Sequence, residues 1–312
     1  MANTAYAPFP IDEHLTQIAL AYRNQRMIAD DVLPRIQVGK QLFEWMEFAK
    51  EDPFSVAPNT LVGRKSIPNE VEFGAESKTD ATRDYGLDAI IPLADLENAD
   101  DRFDPRGYHI EQIADQIALG REKRVVDIVF NEATYPAANK VALAADFKWT
   151  KADHNPIPAL LDYLDRPLMR PNTLVLGVAS WRALRTNPFV VKAAHGNSGD
   201  AGAANRAAVS DLLEIENLIV GQAWMNSAKQ GATPDIARLW GAHAAALYIN
   251  PLANNRGGVT FGYTAQWGSR VAGEMPEPKI GLRGSVRVRA GESVVEKVAA
   301  SDCAFFIQNT NA

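Results

Sequence analysis

Binding a phosphate, holding a metal ion, moving a proton or stacking a base each needs particular side chains at particular spacings, and the 312-residue sequence holds a candidate for each. The stretch Gly196-Asn197-Ser198-Gly199-Asp200-Ala201-Gly202 precedes a helical pattern, as a phosphate cradle would. It lacks the P-loop lysine, however, and Asp200 would repel a phosphate, so it reads as a Gly-rich connection. The histidines His14, His109, His154, His195 and His243 are scattered, with no His-Glu-x-x-His or Cys-His spacing, which predicts no metal site. Carboxylates are plentiful, but no pair stands in an apolar setting that would drive two pKa values apart for acid/base work. The single cysteine, Cys303, opens the apolar run Cys-Ala-Phe-Phe-Ile and reads as packing rather than as a nucleophile. Trp45, Trp149, Trp181, Trp224, Trp240 and Trp267 are spread along the chain, as core or interface residues are, rather than gathered into a base-stacking platform. The expectation is a protein with no catalytic, cofactor-binding or metal-ligating residues, and not an enzyme.

Composition narrows the class further. The chain is long enough for one large domain or two smaller ones with a real core. Its 46% hydrophobic and 22% charged residues describe a folded globular protein, not a disordered one. One cysteine cannot form an intrachain disulfide, so a reducing cytoplasm suits it. The start, Met-Ala-Asn-Thr-Ala-Tyr-Ala-Pro-Phe-Pro, lacks the basic and apolar regions of a signal peptide, and no stretch approaches a membrane-spanning length. A formal net charge of -6 argues against a surface built to neutralise many phosphates, so any nucleic acid nearby is contained rather than gripped.

The elements that would position these residues follow from periodicity. Ile11 to Asp31 reads as a helix that stops before Pro34, and Ile36 to Phe48 as an aromatic strand with one buried face. Residues 51–88 form a polar, turn-rich excursion with short strands at Glu70-Val71-Glu72-Phe73 and from Leu87 to Ile91; alone it cannot bury enough surface to be a domain. Asp104-Pro105 starts a long helix, with Asp as N-cap and Pro in the first turn. Ile110, Ala114, Ile117, Arg121, Val125 and Ile128 continue its apolar stripe toward Pro136, a rod of roughly 40 Å, while Glu111, Asp115, Glu122 and Asp127 should face solvent or a partner. An α/β region follows, with helices over Ile157 to Leu164, Ser180 to Arg185 (ended by Asn187-Pro188) and Ala207 to Leu213. Its strands lie at Thr173 to Leu176, Asn217 to Val220 and Ala244 to Asn250. The end returns to β structure, with Val286 to Arg289, a turn at Ala290-Gly291-Glu292, and Ser293 to Val298 reading as a hairpin.

The order of parts resembles the major capsid protein of tailed bacteriophages, the Hong Kong 97-type fold. The segment Ile11 to Pro34, the passage Tyr85-Gly-Leu-Asp-Ala-Ile-Ile-Pro-Leu-Ala-Asp-Leu-Glu-Asn-Ala99 and the block from Asn172 to Arg185 carry the likeness, which spans nearly the whole chain. The resemblance implies an α+β fold with an N-terminal arm (1–35), an E-loop excursion (36–91) and a P-domain with the spine helix (92–150). It also implies a mainly A-domain region (151–270) and a C-terminal β return to the P-domain (271–312). It further implies hexamers and pentamers that close into an icosahedral shell around double-stranded DNA, bound without sequence specificity. Portal and possible decoration proteins would be partners, and the shell would be assembled in the host bacterial cytoplasm with no membrane involved. The arm begins almost at Met1, which points to a separate scaffolding protein rather than a fused one. Some relatives weld their shells through an E-loop lysine; Lys65 and Lys78 are the available donors, no acceptor site can be placed, and lysine on a polar loop is ordinarily solvated. An encapsulin-like nanocompartment shell and a cytosolic α/β enzyme are the alternative readings.

Overall fold

The computed structural model describes residues 27–48, 60–67, 70, 75–99, 104–196, 202–229, 231–253 and 258–311. The described chain begins with the short helix α1 (Ala29–Val32), then strands β1 (Arg35–Val38), β2 (Leu42–Phe48), β3 (Ala75–Ala81) and β4 (Arg83–Pro92). Helices α2 (Leu93–Glu97) and α3 (Pro105–Val129) follow. Next come β5 (Lys140–Ala142), α4 (Ile157–Asp165), β6 (Thr173–Gly177), α5 (Val178–Thr186), α6 (Pro188–His195), α7 (Arg206–Leu213) and β7 (Asn217–Gly221). The rest is β structure: β8 (Trp224–Asn226), β9 (Ile236–Arg238), β10 (Ala244–Leu247), β11 (Gly262–Glu277), β12 (Ser285–Val298) and β13 (Ala304–Gln308).

Helix α3 starts as its sequence requires. The Asp104 carboxylate accepts from the amides of Arg106 and Gly107 at 3.0 and 3.1 Å, and Pro105 occupies the first turn. The helix ends at Val129 rather than continuing toward Pro136. Thr134 Oγ1 donates to the Ile128 carbonyl at 2.7 Å and Tyr135 Oη to that of Val129 at 2.6 Å, so side chains satisfy carbonyls that another turn would have used. One face of α3 packs on a four-stranded sheet of order β1-β11-β12-β4, through Ile110 and Ile113 against Ile91, Ala272, Val288 and Ala290.

The expected hairpin at Ala290-Gly291-Glu292 is absent. β12 runs unbroken through it, and Gly291 pairs with Gly86 of β4 on one side and Val271 of β11 on the other. A Cβ on Gly291 would stand 2.8 Å from the Tyr85 carbonyl oxygen, so glycine here marks a close approach of two backbones, not a turn. The register of β11 against β12 shifts between Trp267 and Val271, the irregularity that lets so long a pair twist.

The second sheet has five strands in the order β5-β13-β10-β6-β7 and is covered on both faces. Leu174, Leu176, Ala244, Ala246, Phe305 and Ile307 face helices α4 to α7; Val175, Ala245, Leu247, Ala304 and Phe306 face α1, the end of α3 and Phe261. That double burial is why these strands read as continuous apolar runs, Cys303 included, without alternation. The C-terminal return therefore divides, β12 in the four-stranded sheet and β13 in the five-stranded one.

Three other expectations need correction. The strand expected over Ile36 to Phe48 is two: β1 joins the four-stranded sheet in parallel with β11, and after a bend at residues 39–41 β2 pairs with β3 in a separate ribbon. Asn187-Pro188 ends α5 but also starts α6, because the Asn187 side chain accepts from the Phe189 amide at 3.0 Å and Pro suits a first turn. Residues 28–33 are built into the core rather than carried on an outlying arm, with Ile28, Ala29, Val32 and Leu33 all buried. The rest of the helix expected from Ile11, the strand positions 71–73 and loop positions 197–201 lie outside the described residues.

Candidate functional site

The side chains singled out for chemistry stay apart. His109 lies on α3, His154 before α4, His195 at the end of α6 and His243 before β10, and no group of three or more His, Cys, Asp or Glu among the described residues could hold a metal. Burial pushes the His243 imidazole pKa down, and its Nδ1 accepts from the Asn309 amide at 3.2 Å. Cys303 is buried. Trp149, Trp181 and Trp240 are core residues, whereas Trp224 is exposed with the Arg238 guanidinium 3.8 Å over its ring. No helix among the described residues is long and apolar enough to cross a membrane.

What the fold does gather is a set of buried charges where α1 meets α3 and the four-stranded sheet. Arg121 is 2% exposed and Glu122 fully buried, although the helical pattern predicts Glu122 on the outward face. Arg121 donates to the Asp30 carboxylate, to the Leu33 carbonyl at 3.2 Å and to Thr264 Oγ1 at 2.9 Å. Arg35 on β1 donates to Asp30 at 2.7 Å, to Glu292 at 2.8 Å and to Gln266 at 2.9 Å, and Arg270 reaches the same Glu292 oxygen at 3.0 Å. One turn along α3, Arg124 grips both oxygens of Glu296 and lies 3.7 Å over the Tyr85 ring of β4. The network thus ties β1, β4, β11 and β12 to one stretch of helix.

Glu122 does something different. Its carboxylate accepts from the Ile28 amide at 3.0 Å, the Ala29 amide at 2.8 Å and Trp240 Nε1 at 2.6 Å, so it holds the start of α1 and the loop before β10 together. Trp240 fits because Gly221 leaves room: a Cβ there would lie 2.2 Å from the indole.

Environment sets the charges. Burial pulls the Asp30 carboxyl pKa upward, but Arg121 and Arg35 outweigh it and hold it below the ordinary value. Glu292 is likewise buried yet kept low, mainly by Arg35 and then Arg270. Burial wins at Glu122, whose pKa is raised despite its three donors. These groups bond largely to one another and to backbone amides, so the arrangement anchors chain segments. Sequence reading misses it because Glu122 falls between apolar positions; the available signal is Arg121 standing at a core position of the α3 stripe.

Exposed apolar side chains occur over much of the surface, several of them on the β2–β3 ribbon and the β8–β9 hairpin. Leu42 on the β2–β3 ribbon is 62% exposed, Leu61 and Ile67 between its strands 86% and 88%, and Ile236 on the β8–β9 hairpin 64%. Lys65 and Lys78 are both on this exposed surface, Lys78 lying 5.7 Å from the Trp45 ring across the ribbon. Beneath them the base of the ribbon is anchored, with Phe43 buried against Val38, Tyr263 and Ala265.

No protein-family model matches the chain. Over 306 residues it is 49% identical to the major capsid protein of Pseudomonas phage JBD67, covering 98% of this chain and 99% of that one. Its fold is similar to that of a phage-related protein from Bordetella bronchiseptica RB50, with a TM-score of 0.73 at 19% identity over 97% of this chain and 98% of the other. It is also similar to the capsid structure of the cyanophage P-SCSP1u, with a TM-score of 0.57 at 10% identity over 90% of this chain and 88% of that one. With near-complete coverage of a relative at that identity, and helix α3 lying on long paired strands beside a separate α/β layer, the chain belongs to the family of phage major capsid proteins of the Hong Kong 97-type fold.

Proposed function

We propose that copies of this chain assemble as hexamers and pentamers into a closed icosahedral shell around double-stranded DNA. Supporting the reading, the β2–β3 ribbon pairs only with itself among the described strands while Leu42, Leu61 and Ile67 stand exposed on it. The base of the ribbon packs on its own subunit through Phe43 against Val38, Tyr263 and Ala265, and in this reading a neighbouring subunit supports the rest, since a two-stranded ribbon is marginal in water. In this reading the ribbon and residues 60–67 form the projecting part of the E-loop, and α3 with the four-stranded sheet the P-domain. The five-stranded sheet with α4 to α7 is then the A-domain, and the segment before Met27 the arm. Head-to-tail contacts that close into rings make capsomers; without closure they would make filaments. A separate scaffolding protein, a portal, decoration proteins and host cytoplasmic assembly belong to the same proposal. The nanocompartment and enzyme readings lose ground to the 49% identity with a phage major capsid protein. Sedimentation and electron micrographs of purified protein, with a nuclease-protection assay on particles from infected cells, test this. Uniform shells protecting DNA are expected; a monomer or small oligomer, or shells filled with a cargo enzyme, would overturn it.

A further inference from the structure

We propose that Glu122 is a positioning residue for shell assembly, a latch inside each subunit that fixes where the N-terminal segment leaves helix α3. The observation behind it is a contact between groups far apart in sequence: one fully buried carboxylate, with Ile28 and Ala29 amides on one side and the Trp240 indole on the other. Those two amides lie at the N-terminal end of α1, and Glu122 stands in for the cap that the Ile28 side chain cannot provide. From Ile28 onward the chain is held repeatedly: the Asp30 carboxylate by Arg121 and Arg35, the Leu33 carbonyl by Arg121 and Thr264, and the β1 backbone by β11.

The segment preceding Met27 therefore departs from a point set by α3, before any neighbour is met. A preset exit lowers the ordering cost of docking that segment on another subunit, the general advantage of preorganisation. Glutamine cannot replace Glu122 here, because its amide nitrogen would confront a ring of N–H donors. The charged groups around the carboxylate are Arg121 beside it on α3 and Asp30 on α1. Arg121 in turn faces Arg35, Glu292 and Glu296. The contact itself is independent of the shell reading; its consequence for assembly rests on that reading.

The test is hydrogen exchange with mass spectrometry on the full-length chain, read in a peptide spanning residues 27–35 and in peptides covering β6 and β10. Sedimentation of the same preparations follows. In the unaltered protein, residues 28–35 should be protected; free exchange there with β6 and β10 protected would overturn the latch without any variant being needed. In E122Q, protection of residues 28–35 should fall at least about tenfold, the factor expected from losing one hydrogen bond to a charged acceptor. β6 and β10 should stay protected and shells should be fewer or misshapen. V129A, which loosens the same core at a fully buried residue whose side chain makes no hydrogen bond to the segment, separates the hydrogen-bonded latch from loss of core packing. Equal damage to assembly in V129A and E122Q, or unchanged protection in E122Q, would overturn the proposal. Lost protection with normal shells would overturn the positioning role and leave the shell reading standing. If the unaltered protein makes no shells at all, it is the shell reading that fails, while the exchange data still decide the contact.

Discussion

Replacing Gly221 with alanine should be among the most damaging small changes in the molecule. The new methyl would stand 2.2 Å from Cδ1 and Cγ of Trp240, a side chain only 1% exposed. The indole must shift by roughly 1.5 Å to regain ordinary contact at about 3.5–4 Å, because attraction turns to repulsion well outside the present distance. The same shift pulls Nε1 away from Glu122, stretching a bond now 2.6 Å long. Overpacking costs about 1–3 kcal/mol, a lost bond to a charged acceptor about 1.5–3, and the stiffer unfolded chain returns about 0.4–1, leaving about 2–5 kcal/mol of net destabilisation. For a domain stable by roughly 5–15 kcal/mol that is a large share. Urea unfolding of the unassembled subunit, followed by tryptophan fluorescence and circular dichroism together, measures it. A midpoint unchanged or raised in G221A would refute the close-packing argument and the role assigned to Trp240.

Gly120 offers the opposite case. It lies within α3, where an added Cβ would meet nothing nearer than an Arg124 nitrogen at 3.9 Å, so G120A should stabilise by about 0.5–1 kcal/mol in the same urea assay. D30N should destabilise at neutral pH by about 1–3 kcal/mol, less than for a fully buried pair because the Asp30 carboxylate is 38% exposed. Since the folded pKa of Asp30 lies below 3.8, its contribution is present above that pH and is lost as pH falls through the folded value; urea midpoints of the two proteins should converge there. Glu122 carries the reverse sign. Its folded pKa lies above 4.5, so stability from this group is greatest below 4.5 and declines as pH rises through the folded value, a slope that E122Q should flatten in urea midpoints taken across that window. Replacing residues 46–77 with a short Gly-Ser turn, which spares the buried Phe43 and the Asp80–Lys297 ion pair, should leave a folded subunit that forms no shells by sedimentation. Gln41 and Thr82 already meet through a 3.0 Å backbone bond, while β1 and β4 stay in the four-stranded sheet.

Much of this fold is legible in the sequence because local signals and tertiary packing agree. Asp104-Pro105, the strand at Thr173 and the helices at Ile157 and Ala207 each carry caps or periodicity that the packed structure also uses. Where the two conflict, the local signal misleads for a physical reason. Gly291 carries the local signature of a turn, yet what demands glycine is a second strand that only the fold brings near. Residues 262–277 do not read as a strand because Gly268 and the register shift interrupt their alternation. A helical wheel assigns Glu122 to the solvent face because carboxylates ordinarily point outward; the partners that bury it come from residues 94 positions before and 118 after. The charged anchor is thus invisible in any window of the sequence, although its parts are all in view.

Strand β13 lies between β5 and β10, in the interior of its sheet, yet it is the last of the described strands in chain order and so leaves the ribosome after all of them. Until residue 308 has been synthesised, β5 and β10 each present an open edge and both cores lack their phenylalanines, Phe305 and Phe306. A nascent or prematurely terminated chain consequently cannot complete either layer, and its open edges are the kind that recruit chaperones or aggregate. A copy lacking residues 304–308 would carry the defect in its own sheet, and in the proposed shell it would present unfinished surfaces to its neighbours.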